Sequence, residues 1–408
     1  MGGELALKFS FFMMPIHHPS ENPSLAYQRD ISLIEYADEL DFDEFYIGEH
    51  HSGGWETIPA PEMALAMAAA KAKRIRLGTS VISVPFHHPF HLAERMAFLD
   101  QLTRGRVIFG VGPSNLVSDI KLFDIPPGDL RPMLNESVDI MVKLLESPEP
   151  FDYEGRFWKL RNVCLQVRSY QKPRMPFAIA SAGSRGAIDM AARYEMILLS
   201  FGGKKIMENL SLSEQWPYME ECARKYGTRV SRENWRITTY VHLAESREKA
   251  WADIEKYALR DMNYFMDIGL KPAYEAYPDQ PRAEITPKTA AEQRYWIVGT
   301  PEDAIETIEK IQEESGGFGG LMLTTQEWVG DQKIRDSLEL FARYVMPHFR
   351  GHSQDFQNEW RRLQKDVAKG GMPSPGGVPS WETPGLGEHR SNLFTYPPES
   401  GNFPKEAR

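Results

Sequence analysis

The 408-residue chain sets 47 basic side chains against 57 acidic ones, for a net charge of -10, and has two cysteines. An acidic balance without long Lys/Arg runs argues against a nucleic-acid partner. Two cysteines outside CxxC or Cys/His spacing argue against a disulfide framework or structural zinc, and no apolar run reaches the roughly eighteen residues of a membrane span. The expectation is a cytoplasmic protein with a large core.

The N-terminal apolar run has no charged leader or cleavage pattern and is interrupted by Lys8, so residues 5–14 read as a first buried strand rather than an export signal. An amphipathic helix pattern follows over 25–40, a strand over 44–50, a helix over 61–72 opened by Pro61, a strand over 75–83, a helix over 91–103 and a strand over 106–112. Further strand patterns fall at 176–181, 196–201, 234–244 and 319–326, with helical stretches around them. Eight strands alternating with helices predict an α/β fold, a (β/α)8 TIM barrel spanning residues 1–350, rather than an open sheet. Two insertions interrupt it: a hairpin within 148–172, turning near Glu154 and Gly155, and a long excursion over 261–295 of the kind that covers a catalytic face. Residues 351–408, rich in Gly and Pro, are expected to form an extended or flexible tail.

Active sites of parallel barrels gather at the carboxyl ends of the strands. The second strand ends on Glu49, His50 and His51. Neighbouring side chains of an extended chain point to opposite faces, so one imidazole faces the mouth, where it can exchange protons near neutral pH; the alternative is a histidine that only caps the strand end. The third end carries Gly78, Thr79 and Ser80, small residues that admit a flat ligand or, equally, a tightly packed interior. The fourth, GVGPSNL, is a glycine-bearing loop. At the fifth, Ser181, Ala182, Gly183, Ser184 and Arg185 lead straight into a helix, a pattern suited to a phosphate or to plain capping by Ser184. The paired histidines at 17–18 and 87–88 do not read as metal ligands. Pro19 and Pro23 break the helical face that would bring Glu21 to His18, and no acid follows His87 or His88 at ligand spacing, so no metal is expected.

The stretches EFYIGEHHSGGWETIPAPE, RIRLGTSVISVPFHHPFHLAERMAFLDQLTRGRVIFGVGPSNLVSD, FAIASAGSRGAIDMAAR and YWIVGTPEDAIETI resemble the bacterial luciferase-like flavin-dependent monooxygenases, and within them the limonene monooxygenase branch, over roughly residues 5–348. The resemblance implies a homodimer that takes reduced FMN from a separate NAD(P)H:flavin reductase. It also implies a flavin hydroperoxide formed with O2 and transfer of one oxygen atom to a small apolar or aromatic compound. By position, His50 matches the family's catalytic histidine. Ser80 and Val81 match a non-prolyl cis peptide behind the flavin ring, beside Thr79 and Gly112, and Ser181 to Arg185 match the phosphate turn. Gly112 and Pro113 stand where luciferase has Cys then Arg, and Ser181 where it has Glu, so light emission is not implied and Arg185 takes over charge at the phosphate. The same fold admits a deazaflavin-dependent hydride-transferring oxidoreductase or a non-catalytic flavin-binding subunit. No Gly-rich dinucleotide fingerprint is visible, which suits a flavin reduced elsewhere. Residues 113–130 and 261–295 are expected to line the substrate pocket, with Phe123, Tyr264, Phe265 and Met266 offering an apolar surface.

Overall fold

Eight runs of apolar residues, each flanked by a helix that can cover it, leave a parallel sheet buried on both faces. In the computed structural model, which describes residues 7–368 apart from Pro15 and Met207, these runs are Lys8–Met13, Glu44–Ile47, Arg76–Thr79, Val107–Gly112, Phe177–Ser181, Ile197–Phe201, Trp235–Leu243 and Gly320–Thr325. Each pairs in parallel with the next. The last returns to the first, Lys8 opposite Gly320 and Met13 opposite Thr325, so the barrel is closed. The (β/α)8 expectation holds strand for strand.

Alternation along the strands divides the apolar residues between two cores. Phe9, Phe11, Phe45, Phe109, Phe177 and Ile237 face outward and pack under the helices. Phe12, Tyr46, Ile108, Ala178, Leu199 and Met322 fill the barrel. The helices are delimited by ordinary signals. Asn22 accepts bonds from the Ser24 and Leu25 amides ahead of Pro23–Glu39, and a Thr300/Asp303 capping box opens Pro301–Ser315, which stops at left-handed Gly316.

Near the amino ends of the strands the interior is polar. Arg236 of the seventh strand meets Glu44 of the second in a two-pronged pair, both bonds 2.9 Å. The Ser10 and Tyr46 hydroxyls donate to the same carboxylate at 2.8 and 2.9 Å. Burial alone would push the Glu44 carboxyl up, but the Arg236 guanidinium and these bonds outweigh it and bring it down to about 2.

Some elements differ from the sequence expectation. The third strand is two pieces, Arg76–Thr79 and Ile82–Ser83, separated by the cis Ser80–Val81 peptide, and the second piece pairs with Val111 and Gly112. Inside the first insertion, Phe151–Glu154 and Lys159–Val163 pair as an antiparallel hairpin. The excursion is more structured than a loop: helix Arg247–Phe265 runs into it, helix Pro287–Arg294 closes it, and Ile297–Gly299 pairs with the end of the seventh strand. In the tail, Gln354–Ala368 is helical rather than extended, because QDFQNEWRRLQKDVA lacks Gly and Pro and is rich in good helix formers. The Gly/Pro-rich remainder, 369–408, lies outside the described residues. Among the described residues no helix is long and apolar enough to cross a membrane.

Breaking the interior pair strands a buried charge. Arg236→Ala is expected to lower stability in urea titrations by about 3–5 kcal/mol, and replacing both partners with apolar residues to recover most of that loss. The folded carboxyl of Glu44 lies below its ordinary value of 4.5. Its contribution is therefore complete above about pH 4.5 and lost as the pH falls toward about 2, which urea midpoints measured across that interval will register.

Candidate active site at the barrel mouth

His50 continues the second strand with the same parity as Glu44 and Tyr46, whose side chains lie inside the barrel, and that parity carries the imidazole to the inner side of the mouth. Nδ1 lies 3.0 Å from Asp119 Oδ2 and Nε2 lies 2.7 Å from Glu56 Oε2. Asp119 sits on the short helix Val117–Leu122 that follows the fourth strand and is fully buried. It also accepts the His51 amide at 3.2 Å and the Ser52 hydroxyl. Glu56 Oε2 accepts no well-aligned hydrogen bond, so its contact with Nε2 is an ion pair set by proximity rather than direction.

Burial by itself would drive the imidazole toward neutrality. The Asp119 bond, with the negative charges of Glu56 and Asp119, outweighs it and raises His50 to about 9. Burial likewise pushes the Asp119 carboxyl up, and the bonds from His50 and Ser52 more than reverse that, leaving it below its ordinary value. At neutral pH the mouth thus carries an imidazolium flanked by two carboxylates. Its side chain is 25% exposed, enough for a ligand atom to reach it. Such a group can hold and deliver a proton or stabilise developing negative charge.

His51, of opposite parity, turns to the other side. Glu49 Oε1 accepts from His51 Nε2 and His87 Nε2, both at 2.9 Å, and Glu49 Oε2 has no partner although buried. Burial would raise the Glu49 carboxyl, and the two imidazoles bring it below its usual range instead. Ligand-type atoms of these three residues lie within 4.8 Å of one another, the grouping among the described residues with the atoms to hold a cation. The sequence concealed it because the acid that meets His87 lies 38 positions earlier, just past the end of the second strand.

The fifth strand ends at Ser181, whose hydroxyl accepts the Gly183 amide at 3.0 Å. Gly183 has φ +91°, and a Cβ there would stand 2.2 Å from the Leu210 carbonyl, so glycine is required. Helix Arg185–Tyr194 starts immediately, and Ser184, at its N-cap, makes no side-chain capping bond. The Ala187 amide bonds the Ser184 carbonyl at 3.2 Å, and the Arg185 and Gly186 amides with the Ser184 hydroxyl are left available for an anion. Arg185 turns along the outside of the barrel, its guanidinium 4.8 Å above the Tyr218 ring. A different cation approaches the turn. Arg131, from helix Pro127–Glu146, comes so close that a Cβ on Gly186 would stand 3.0 Å from its Nη1, and it makes no hydrogen bond or ion pair with any described residue.

The third and fourth strand ends adjoin. Thr79 is fully buried, its hydroxyl donating to the Gly110 carbonyl at 2.8 Å and accepting the Gly110 amide at 2.9 Å, so it ties the strands together. Gly112 lies against Val81, whose Cγ2 would be 2.5 Å from any Cβ at that position. Ser80 and Val81 are only partly buried. Tyr264 stacks on Trp55 in a cluster with Phe265 and Met266, whereas Phe123 stacks on Phe86 and meets the edge of His51. Sequence reasoning missed Glu56, Asp119 and Arg131. The one available signal was an acid inside VSDIKLF, where an apolar helix face buries a charge only if it has a partner.

The luciferase-like monooxygenase family model matches residues 7–317. The chain is 36% identical to 4-hydroxyprotoasukamycin monooxygenase of Streptomyces nodosus subsp. asukaensis, over 85% of this chain and 93% of that protein. It is likewise 36% identical to limonene 1,2-monooxygenase of Rhodococcus erythropolis, over 84% and 87%. Its fold matches the FMN-bound oxygenating constituent of 3,6-diketocamphane monooxygenase from Pseudomonas putida with a TM-score of 0.73 at 22% identity, over 84% of this chain and 99% of that one. The chain belongs to the luciferase-like monooxygenase family and is an enzyme of that oxidoreductase class.

Proposed function

We propose that the protein is the oxygenating half of a two-component system, using reduced FMN from a separate NAD(P)H:flavin reductase to insert one atom of O2 into a small apolar or aromatic compound. The observation that carries this reading is the pairing, on one barrel rim, of a proton-bearing His50 with a helix terminus that lacks a side-chain cap and is approached by Arg131, which has no polar partner among the described residues. Exposed amides, hydroxyls and a guanidinium are the donor set a phosphate monoester requires, so the residues present fit FMN.

Bound reduced FMN supplies the electrons for O2 activation. The chain supplies the rest. Ser181, Ala182, Gly183 and Ser184 with the helix amides would hold the phosphate, Arg131 would balance its charge, and Arg185 flanks the turn. Ser80, Val81 and Gly112, braced by Thr79, would supply the surface for the flavin ring. His50 retains the proton on Nδ1, aligned with Asp119, while the proton on Nε2, only loosely held by Glu56, is the one free to move to an oxygen atom in the mouth. One oxygen leaves as water and needs protons, which a neutral histidine could not supply as readily.

The protein is further proposed to be a cytoplasmic homodimer. Helices Pro61–Ala69 and Pro89–Thr103 are bridged by Arg95 and Glu62 at 3.1 Å and expose Met63, Met67, Phe98 and Leu102, Met63 at 72%. Apolar residues four apart share a helix face, and such a patch suits a second copy of the same surface. Phe98→Glu with Met67→Glu is expected to convert a dimer to monomer in light scattering; an unchanged mass would locate the contact elsewhere.

With reductase, NADH, labelled O2 and a panel of terpenes and ketones, one labelled atom is expected in product. Tight deazaflavin binding without FMN affinity would overturn the reading. His50→Ala should lower turnover about 10²- to 10⁴-fold, whereas undiminished turnover would favour a non-catalytic flavin-binding role. Activity should persist to about pH 9 and fall above it as His50 loses its proton. In Asp119→Asn that decline should move down by about one to two pH units. Arg131→Ala should weaken FMN binding about tenfold by fluorescence quenching and leave riboflavin, which has no phosphate, unaffected.

A further inference from the structure

Tyr264 lies near Glu56 and Asp119, the carboxylates that flank His50, yet its hydroxyl makes no well-formed hydrogen bond with any described residue. The residue is 9% exposed, and among the described residues its oxygen finds no hydrogen-bond partner. The ring is nevertheless fixed in place. It stacks on Trp55 with centroids 4.8 Å apart at 20°, and packs on Phe265 at 5.4 Å. The oxygen sits over Gly53, where any Cβ would stand 2.6 Å from it; φ there is +81°, which also favours glycine. Buried hydroxyls in native proteins almost always find a partner, and an exception held this firmly calls for one that arrives from outside.

The surroundings narrow what that partner is. Burial, then the nearby Glu56 and Asp119 charges, keep the phenol protonated, so it is a donor. Both carboxylates are turned to His50. The Trp55 backbone N–H is close enough to act on the phenol's acidity, but it too is a donor and leaves the phenol hydrogen without an acceptor. The side chains clustered with it, Trp55, Phe265 and Met266, are apolar.

We infer that Tyr264 is a substrate-binding residue that donates a hydrogen bond to a carbonyl oxygen on an otherwise apolar molecule, so that the site selects ketones, enones or quinones over the corresponding hydrocarbons. This rests on the monooxygenase reading for the identity of the bound molecule as substrate, but the recognition itself is measurable without turnover.

Acetophenone against ethylbenzene, and menthone against p-menthane, present each skeleton with and without the carbonyl. Titration of the full chain by tryptophan fluorescence, without flavin and again with oxidised FMN, is expected to show the ketones binding about tenfold more tightly. In Tyr264→Phe that preference should fall to within about twofold while hydrocarbon binding and the unfolding midpoint hold or rise, because an unpartnered buried hydroxyl has been removed. A preference retained in Tyr264→Phe, or missing from the wild type, or failure of both ketones to bind, overturns the inference. Loss of the preference in Tyr264→Phe together with no FMN-dependent oxygenation by the wild type would uphold the hydroxyl's role and sink the monooxygenase reading alone.

Discussion

The barrel depends on one contact across its interior, the fully buried pair between Glu44 and Arg236. These residues come from the second and seventh strands, which are not neighbours, so the pair forms only when the eighth and first strands have closed the ring between them. Two charges out of water are tolerable only with near-ideal geometry and every remaining polar atom engaged. The hydroxyls of Ser10 and Tyr46 complete that arrangement. Since a slip of one residue would exchange inner and outer faces, the pair also sets which side each later residue of the second strand takes. His50 lies on Glu44's side and His51 on the other for that reason.

At the opposite end the same economy of charge takes a different form. Below, a cation and an anion neutralise each other and are sealed. Above, one imidazolium faces two carboxylates, an excess of negative charge that makes the proton costly to remove and leaves the histidine partly open to ligands. The difference between structural and chemical use of buried charge lies in that accessibility. A group that must act needs a partner it can leave, and the poorly aligned Glu56 contact provides one.

Much of this was legible in the sequence. All eight strands, the closed architecture and the placement of His50 and the Ser181–Arg185 turn follow from period-two and helical patterns, which are local. The kink in the third strand was expected at Ser80–Val81 through family likeness, although the residue pattern alone read 75–83 as continuous. Glu56, Asp119 and Arg131 were not legible, since each acquires meaning only from a contact between loops that periodicity does not join. The direction of Arg185 was hidden for a related reason: a residue at the first turn of a helix can point into the mouth or along the flank, and the Tyr218 ring that draws it outward lies on a later helix. Helix Gln354–Ala368 was obscured by the Gly/Pro-rich composition of the residues after it.

Asp119 grips three consecutive residues, taking the imidazole of His50, the amide of His51 and the hydroxyl of Ser52. Its own helix is only six residues long and shows Val117 and Leu122 to solvent. The segment is therefore a lever with a small handle: any tilt that draws Asp119 away relaxes the second-strand loop and, in the same motion, loosens the hold on the imidazole's proton. Because one carboxylate holds all three groups, the path of the second-strand loop and the hold on the imidazole's Nδ1 cannot change independently.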